Sequence, residues 1–339
     1  ALHGTSIVSV PPALAKAGFT NVQLVEAQST PDGNFPTVAS PNPEESAALA
    51  MAVAQAEATN ADLVIGCDPD TDRVGIAVND GTGKMQLLNG NDTAALLVHY
   101  ILNAYKTNGT LPANGFTAAT VVTTDLIADI SAAYGVPCYR CLTGFKWIAD
   151  IINNKPEEQF LVGGEESYGY LIGDDVRDKD AVASAVMIAE MAANAKAQGR
   201  TVLQQLEAIH REFGQYQERL ISITKKGRSG AQEIADMMTA LRNDPPKTLA
   251  GSPVIVAIDH SNSTQTDLRT GATSSTELPG SNVLQFITEA GDKVSARPSG
   301  TEPKIKFYFS VRTTTGESHA ATKAELERKI DTFIEELNL

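Results

Sequence analysis

The chain has 339 residues, of which 42% are hydrophobic and 20% are charged, a balance typical of a soluble globular protein with two or three domains. Its net charge of −14 argues against nucleic acid or an anionic membrane as a partner. The sequence contains neither an apolar run long enough for a transmembrane helix nor a recognisable signal peptide, and three cysteines favour a reducing compartment, so we expect a cytoplasmic protein.

The first part of the sequence alternates strand and helix patterns. We predict strands at Ser6–Val10 and Asn21–Ala27 with a helix at 11–18 between them. A longer Ala-rich helix follows, for which Asn42 is the predicted N-cap and Pro43 the first helical residue. This order is typical of βαβ units and a mostly parallel sheet.

Three aspartates at alternate positions follow the next predicted strand, 61–67. They are Asp68, Asp70 and Asp72, and Arg73 closes the group. Carboxylates this close repel each other unless a cation neutralises them, so we predict a site for Mg²⁺ or Ca²⁺. An EF-hand would need glycine where Arg73 stands, and no P-loop string occurs in the chain. An exposed acidic turn is the alternative, and Arg73 could pair with a carboxylate or reach a phosphate.

Strand and helix patterns alternate again after residue 89. The predicted elements are helix Thr93–Tyr105, strand Thr117–Thr124, helix Asp125–Tyr134, strand Val136–Leu142, helix Phe145–Asn153, strand Gln159–Val162 and helix Asp180–Ala197. Cys138 and Cys141 are three apart on one strand, where their thiols would point to opposite faces, so we expect structural cysteines.

The pattern changes near residue 210 to a run of strands with segregated helices, which indicates an α+β unit. Predicted strands are Tyr216–Thr224, Val254–His260, Asn282–Thr288, Lys293–Ala296 and Lys304–Arg312, with helices at Ser229–Arg242 and Ala320–Leu337. Ser261–Ser281 is rich in Ser, Thr and Gly, and we predict turns or a mobile loop there.

Two loops in the middle of the chain carry candidate chemistry. Gly163–Gly169 offers Glu165 and Ser167, a carboxylate and a hydroxyl that suit sugar hydroxyls, although a tight turn with exposed acids remains open. Thr143–Trp147 opens a predicted helix, and its Lys146 could donate a proton if its pKa were lowered; a solvated lysine is the alternative.

A third candidate loop lies between two C-terminal strands. It combines a guanidinium, hydroxyls, an ammonium and a flexible glycine, which together can bind phosphate. The residues concerned are Arg297, Ser299, Gly300, Thr301 and Lys304. Basic residues concentrated in so acidic a chain favour a phosphate site over a plain turn.

These loops, taken in order, resemble the α-D-phosphohexomutase family. The resemblance rests on Cys67–Arg73 as the metal loop, Thr143–Lys146 as the lysine segment, Gly164–Gly169 as the sugar loop and Arg297–Lys304 as the phosphate loop. The forms Glu-Glu-Ser-Tyr-Gly and Thr-Gly-Phe-Lys are most similar to the phosphoglucomutase/phosphomannomutase branch, which also has phosphopentomutase members.

The resemblance implies a fold and a set of roles. We expect two consecutive α/β domains with mainly parallel mixed sheets, 1–88 and 89–208, and a C-terminal α+β domain with an antiparallel sheet, 209–339. Asp68, Asp70 and Asp72 would hold Mg²⁺. Catalytic roles would fall to Lys146 and Arg73. Glu165, Ser167 and the phosphate-loop residues would bind hexose phosphate.

The implied reaction interconverts hexose 1-phosphate and hexose 6-phosphate through a phosphoserine and a hexose 1,6-bisphosphate. The family carries that serine in a T-A-S-H-N-P-like motif of its first domain, and no such motif occurs here. Ser40-Pro41-Asn42-Pro43 mimics it, but Pro41 replaces the histidine and the stretch is expected to open a helix. We therefore expect domains two to four of a longer enzyme, inactive alone.

Two other classes of function remain open from the sequence. One is a sugar-phosphate-binding module that never catalyses turnover. The other is a metal-dependent phosphatase with Asp68 as nucleophile, although the D-x-D-x-T pattern fails because Asp72 stands at its last position. The sequence does not choose among glucose, mannose and pentose phosphates.

Overall fold

The computed structural model describes residues 1–225, 227, 229–300, 302–314, 316 and 318–339, which form two compact units. The first unit spans Ala1–Ile209 and the second His210–Leu339. Thr301, assigned to the phosphate loop from the sequence, lies outside the described residues. No helix within the described ranges is long and apolar enough to cross a bilayer.

The first unit begins with a small antiparallel sheet. Its elements are helices α1 (Val10–Lys16) and α2 (Ser46–Thr59) and strands β1 (Leu63–Cys67), β2 (Val74–Asn79) and β3 (Met85–Leu88). The strand order is β1-β2-β3, and the connections between successive strands are too short for a crossover helix, so the strands form hairpins. Helix α2 covers this sheet, with Ala56, Val64 and Ala77 in the shared core.

Two predicted strands ahead of this sheet are wrong. Ser6–Val10 forms a 3-10 turn, Thr5–Val8, followed by α1. Asn21–Ala27 contains no strand in the described chain and runs into a 3-10 turn, Glu26–Gln28. Pro11 lies in the first turn of α1, where a missing amide is tolerated, so the helix starts early. Neither segment pairs with any strand of the described residues that could complete its backbone hydrogen bonds.

The predicted cap of α2 is also wrong. Glu45 is the N-cap, while the Oδ1 atom of Asn42 accepts a hydrogen bond from the Glu44 backbone N–H at 3.0 Å. This local turn uses the Asn42 acceptor before the helix begins. Pro43 therefore precedes α2.

The second sheet of the first unit is mixed. The elements of this region are α3 (Gly90–Thr107), β4 (Gly115–Thr120), α4 (Leu126–Ala133), β5 (Cys138–Cys141), α5 (Lys146–Asn154), β6 (Gln159–Gly164), β7 (Tyr170–Ile172) and α6 (Ala181–Ala197). The chain continues into α7 (Val202–Phe213), which belongs to the first unit up to Ile209 and to the second unit from His210. Strands run in the order β5-β4-β6-β7; β4 is parallel to β5 and β6, and β7 is antiparallel to β6. Strand β7 and helix α7 escaped prediction.

The second unit is built on one antiparallel sheet. Its elements are β8 (Gln215–Thr224), α8 (Gly230–Asn243), β9 (Thr248–Leu249), β10 (Ser252–Asp259), β11 (Thr264–Asp267), β12 (Thr273–Ser275), β13 (Leu284–Thr288), β14 (Lys293–Pro298), β15 (Lys304–Thr313) and α9 (His319–Glu336). The order is β12-β11-β10-β13-β14-β15-β8, with β9 beside β10. Helices α8 and α9 contribute Met238 and Phe333 to its core.

The predicted fold class is confirmed, with one local correction. A mixed α/β region precedes an antiparallel C-terminal sheet, although the first small sheet is antiparallel rather than mainly parallel. Ser261–Ser281 contains strands β11 and β12 in place of the turns or mobile loop predicted there. The division into 1–88, 89–208 and 209–339 stays a prediction.

Strand β1 lies at the edge of its sheet, beside an apolar groove. The groove is lined by β1 together with Leu14 of α1, Leu24, Leu49 of α2 and Ala189 of α6. It contains none of the predicted site residues.

Candidate active site

The metal loop, Asp68–Arg73, joins β1 to β2 and is organised by its own first residue. The Asp68 Oδ1 atom accepts hydrogen bonds from the backbone N–H groups of Asp72, at 3.1 Å, and Arg73, at 2.9 Å. Thr71 has φ of 64°, a left-handed conformation that turns the chain sharply. One carboxylate oxygen from each of Asp68, Asp70 and Asp72 lies within 4.8 Å of the others.

The electrostatics of the loop favour a positive ion. Burial raises the pKa of Asp68 to about 7; the hydrogen bond from the Arg73 backbone opposes this, while repulsion from Asp72 and Asp70 adds to it. The buried Oδ1 atom of Asp72 has no hydrogen-bond partner among the described residues. A buried carboxylate oxygen that accepts no hydrogen bond, beside two further carboxylates, fits a hard divalent cation, so the residues present suit Mg²⁺.

Arg73 is paired with carboxylates in this structure. Its Nη1 atom lies 3.1 Å from the Glu44 Oε1 atom, and its Nε atom lies 3.8 Å from Asp72 Oδ1 and 4.0 Å from Asp68 Oδ2. Glu44 was not recognised from the sequence as part of the site. Its position ahead of α2 gave no sign that it would meet a residue so far along the chain.

The sugar loop lies against the metal loop. Residue Gly169 forms an antiparallel bridge with Arg73, and the Val74 N–H donates to the Tyr168 carbonyl at 3.0 Å. Within the loop, the Glu165 N–H donates to the Gly169 carbonyl at 2.9 Å. The two loops therefore form one hydrogen-bonded structure in the first unit.

The predicted sugar-binding side chains differ in exposure. Glu165 is buried, and its Oε1 atom accepts a hydrogen bond from the Gly144 N–H at 2.8 Å, whereas Ser167 is half-buried. The alternative of a turn with exposed acids therefore does not describe Glu165. Gly144 belongs to the lysine segment, so Glu165 ties that segment to the sugar loop.

Lys146 begins helix α5 and is exposed. Its Nζ atom lies 5.1 Å from the centre of the Trp147 ring, a cation–π contact. Two residues earlier, Gly144 is fixed by Glu165 as described above. The backbone of the segment is thus held in place while the ammonium group remains open to solvent, and its catalytic role stays a prediction.

Two further segments that the sequence did not assign hold the metal loop. The Thr5 N–H donates to the Pro69 carbonyl at 2.8 Å, and the Thr5 and Thr71 hydroxyls lie 2.8 Å apart. On another side, the Lys179 Nζ atom lies 2.9 Å from Asp72 Oδ2. Burial opposes the charge on Lys179, but the hydrogen bonds that its ammonium group donates to Asp72 and Asp178 outweigh burial and raise the lysine pKa. These contacts join residues that lie far apart in the sequence, so local sequence patterns could not have predicted them.

The phosphate loop belongs to the second unit and is described by itself. Arg297 is half-buried on β14 and pairs across the sheet with Lys306. It forms no ion pair with a carboxylate among the residues that the structure describes. The Ser299 N–H donates to the Lys304 carbonyl at 2.7 Å, and Gly300 is exposed at the tip. A guanidinium without an acidic partner suits an anion, and the phosphate-binding role of the loop stays a prediction.

Comparison with known families gives two adjoining matches. Residues 1–82 match the description "Phosphoglucomutase/phosphomannomutase, alpha/beta/alpha domain II", and residues 89–213 match domain III of the same family. The predicted metal loop lies in the first match, and the sugar loop and lysine segment lie in the second.

Curated relatives extend the similarity along most of the chain. A phosphoglucomutase of Staphylococcus epidermidis is 39% identical over 311 residues, which cover 91% of this chain and 56% of the relative. A Haemophilus influenzae protein named "Probable phosphomannomutase" is 39% identical over 314 residues, covering 92% and 59% respectively. The chain thus spans a little over half the length of the curated relatives it matches.

Solved structures share the fold. The phosphoglucomutase pp63/parafusin of Paramecium superposes with a TM-score of 0.62 at 16% identity, covering 92% of this chain and 52% of its own. A phosphoglucomutase/phosphomannomutase family protein of Burkholderia thailandensis gives 0.63 at 18% identity, covering 100% and 59%. Identities this low establish the architecture alone.

Proposed function

Because this chain belongs to the phosphoglucomutase/phosphomannomutase family, we propose that it supplies the metal, sugar and phosphate loops of a hexose-phosphate mutase. One observation carries the proposal: three loops far apart in sequence meet in the first unit. The Arg73–Gly169 bridge joins the metal and sugar loops, and the bond from Gly144 to Glu165 adds the lysine segment. Phosphoryl transfer on a phosphorylated sugar needs a cation site, groups that bind the sugar hydroxyls and a proton-transfer group close to one another.

The residues of the metal loop would each have a separate role in the reaction. Asp68, Asp70 and Asp72 would hold Mg²⁺, which when bound neutralises negative charge on a transferring phosphoryl group. Asp68 Oδ1 already orders the loop backbone, so the carboxylates need little rearrangement to present their oxygens. Arg73 lies beside two of the carboxylates, where its guanidinium can also bind a phosphoryl oxygen.

The sugar contacts would come from the second loop. The Glu165 Oε1 atom accepts a hydrogen bond from the Gly144 N–H, and the Glu165 carboxylate would accept a hydrogen bond from a sugar hydroxyl, while Ser167 can donate or accept. Lys146, exposed at the start of α5, would move a proton at the reacting hydroxyl. In the second unit, Arg297, Ser299, Gly300, Thr301 and Lys304 would bind a phosphate group of the substrate.

The phosphoryl donor is part of the proposal. No T-A-S-H-N-P motif occurs in these 339 residues, and Asn42 beside Ser40 is engaged in a local turn with Glu44. A phosphoserine on a further domain of the same protein would therefore supply the phosphoryl group. The chain alone would bind ligands without turnover. A cytoplasmic setting belongs to the same proposal, because the three cysteines are free thiols.

A calorimetric titration with glucose 1,6-bisphosphate in the presence of Mg²⁺ tests this function. We expect saturable binding by the wild-type chain and a loss of roughly tenfold or more in Arg297→Ala, because a charge-assisted hydrogen bond contributes about 1.5–3 kcal/mol. Mg²⁺ binding measured separately should be unchanged in the variant. Equal bisphosphate affinity in both chains would remove the phosphate loop from the site.

A mutase assay on the same samples separates the remaining alternatives. We expect no conversion of glucose 1-phosphate by the chain alone, because the donor serine is missing. Turnover would contradict the assignment of the donor to another domain. Release of inorganic phosphate that depends on Asp68 would instead identify the phosphatase considered from the sequence.

A further inference from the structure

Lys179 occupies the point where the three loops of the first unit meet. It lies between β7 and α6, and its side chain is only 14% exposed. Its Nζ atom lies 2.9 Å from Asp72 Oδ2 and 3.0 Å from Asp178 Oδ1, and 5.7 Å from the centre of the Phe145 ring. One ammonium group therefore touches the metal loop and lies near the lysine segment.

The backbone around Lys179 is fixed on both sides. The Asp180 N–H donates to the Tyr170 carbonyl at 2.9 Å, and the Ala181 N–H donates to the Thr71 carbonyl at 3.3 Å. Asp180 also caps α6 by accepting hydrogen bonds from Val182 and Ala183. These contacts fix the backbone from which the Lys179 side chain extends, and a fixed backbone favours a defined position of the ammonium group beside Asp72.

The stem of Lys179 packs directly on the sugar loop. A Cβ atom added at Gly169 would lie 2.3 Å from the Lys179 Cδ atom and 2.7 Å from its Cγ atom. The absence of a side chain at 169 is therefore what lets the lysine run along the loop toward Asp72. This packing limits the directions in which the ammonium can move.

We propose that Lys179 is a positioning residue of the metal loop, which holds the Asp72 carboxylate through Oδ2 and leaves Oδ1 for the cation. The inference rests on the proposed function, because it takes the three aspartates as the cation site. The Asp72 Oδ1 atom is buried and has no hydrogen-bond partner among the described residues, since the Arg73 Nε atom, 3.8 Å away, lies beyond hydrogen-bonding distance. Partners that orient a metal ligand typically contribute 10–100-fold to metal affinity.

The direction of the effect distinguishes positioning from simple charge. Lys179 is a cation next to a cation site, so removing it should tighten metal binding if only Coulomb repulsion mattered. Positioning predicts the opposite, since a freed Asp72 side chain must be ordered again when the cation binds. A weaker site after loss of the lysine charge therefore identifies a positioning role.

The experiment is a Mn²⁺ titration of the full chain, with Mn²⁺ as the probe for the divalent site. Lys179→Met keeps most of the stem and removes the ammonium, and we expect the dissociation constant to rise 10–100-fold. Lys179→Arg, which keeps a cation, should recover part of the loss. The matched control is Lys196→Met, because Lys196 pairs with Asp62 at 2.6 Å on the exposed surface, and it should bind as the wild type does.

A second variant keeps the test decisive if Lys179→Met fails to fold. Gly169→Ala leaves every charge in place but pushes the stem of Lys179 aside, so it should also weaken Mn²⁺ binding. If the wild-type chain binds Mn²⁺ and both variants bind it equally or more tightly, the positioning role of Lys179 is overturned while the metal site of the proposed function stands. Failure of the wild-type chain to bind Mn²⁺ would overturn the metal site of the proposed function, and this inference with it.

Discussion

The metal loop and the phosphate loop both connect antiparallel strands, but they are held in different ways. The metal loop is contacted by Thr5, Tyr168, Lys179 and Ala181, all distant in sequence. In the phosphate loop, the described backbone hydrogen bonds join residues of the loop itself. The exception is the Lys225 N–H, which donates to the Pro303 carbonyl at the far end of the loop. The Gly300 tip is exposed.

The charge that each loop presents accounts for the difference. Three carboxylates within 4.8 Å repel each other and would open an unsupported hairpin, so neighbouring segments must hold the loop closed. Under the proposed function, the phosphate loop would present hydrogen-bond donors to an incoming anion. Its local hydrogen bonds are sufficient to turn the chain between β14 and β15.

The largest expected effect comes from removing a metal ligand. Asp70→Asn should weaken Mg²⁺ binding by about 100-fold or more, because a ligand contributes at least as much as the groups that orient it. A titration of Mg²⁺ against the variant and wild type measures this. The control is Asp244→Asn, an exposed acid of the second unit. An unchanged affinity in Asp70→Asn would make the aspartate cluster a structural turn.

Glycine substitutions test the bracing itself. A Cβ atom at Gly4 would lie 2.2 Å from the Pro69 Cα atom, whereas one at Gly300 would meet no atom within 4 Å among the described residues. Gly4→Ala should therefore lower the free energy of unfolding by up to about 3 kcal/mol. Gly300→Ala should leave it unchanged or raise it by up to about 1 kcal/mol.

Urea denaturation of both glycine variants measures the contrast, with Gly33→Ala as a further control that meets no neighbour within 4 Å. Equal losses in Gly4→Ala and Gly300→Ala would show that the metal loop does not depend on the segment before α1.

A smaller effect concerns pH and the second unit. Burial lowers the pKa of His210 to about 4, with further lowering by His319 and Lys323. The unfolded chain then binds a proton near pH 6.5 that the folded chain does not bind until about pH 4. The contribution to stability is therefore complete above pH 6.5 and is lost as the pH falls toward 4, by about 2 kcal/mol between pH 7 and pH 5.

Denaturant unfolding of wild type and His210→Gln at pH 7 and pH 5 isolates this contribution. The variant should lose less stability on acidification than the wild type, whatever its absolute stability. His260→Gln is a matched control, since His260 is buried and hydrogen-bonded to Gln285. Identical pH dependence in wild type and His210→Gln would contradict the assignment.

Local patterns predicted those parts of the site that are local. The run 63–67 followed by Asp68, Asp70 and Asp72 lies within one hairpin, so spacing alone predicted both the strand and the clustered carboxylates. Glu44 and Lys179 were missed because their partners lie far away in the sequence and appear only once the sheets have formed.

The errors in the fold have the same origin. Asn21–Ala27 has the residue types of a strand, but a strand forms only where another strand can pair with it. Asn42 has the residue type of a helix cap, but its side chain closes a turn with Glu44 first. The residue types of a segment indicate which secondary structure it can adopt, and the contacts available from the rest of the chain determine whether it adopts that structure.

The position of β1 at the edge of its sheet also has a consequence for handling the protein. An edge strand next to an apolar groove is a place where two chains can pair, and the electrostatic repulsion of chains carrying a net charge of −14 opposes that pairing. Added salt shortens the range of this repulsion. Charge repulsion between chains therefore limits aggregation in a concentrated sample. The shelf life should be longest at low ionic strength and at a pH well above the isoelectric point of about 4.8.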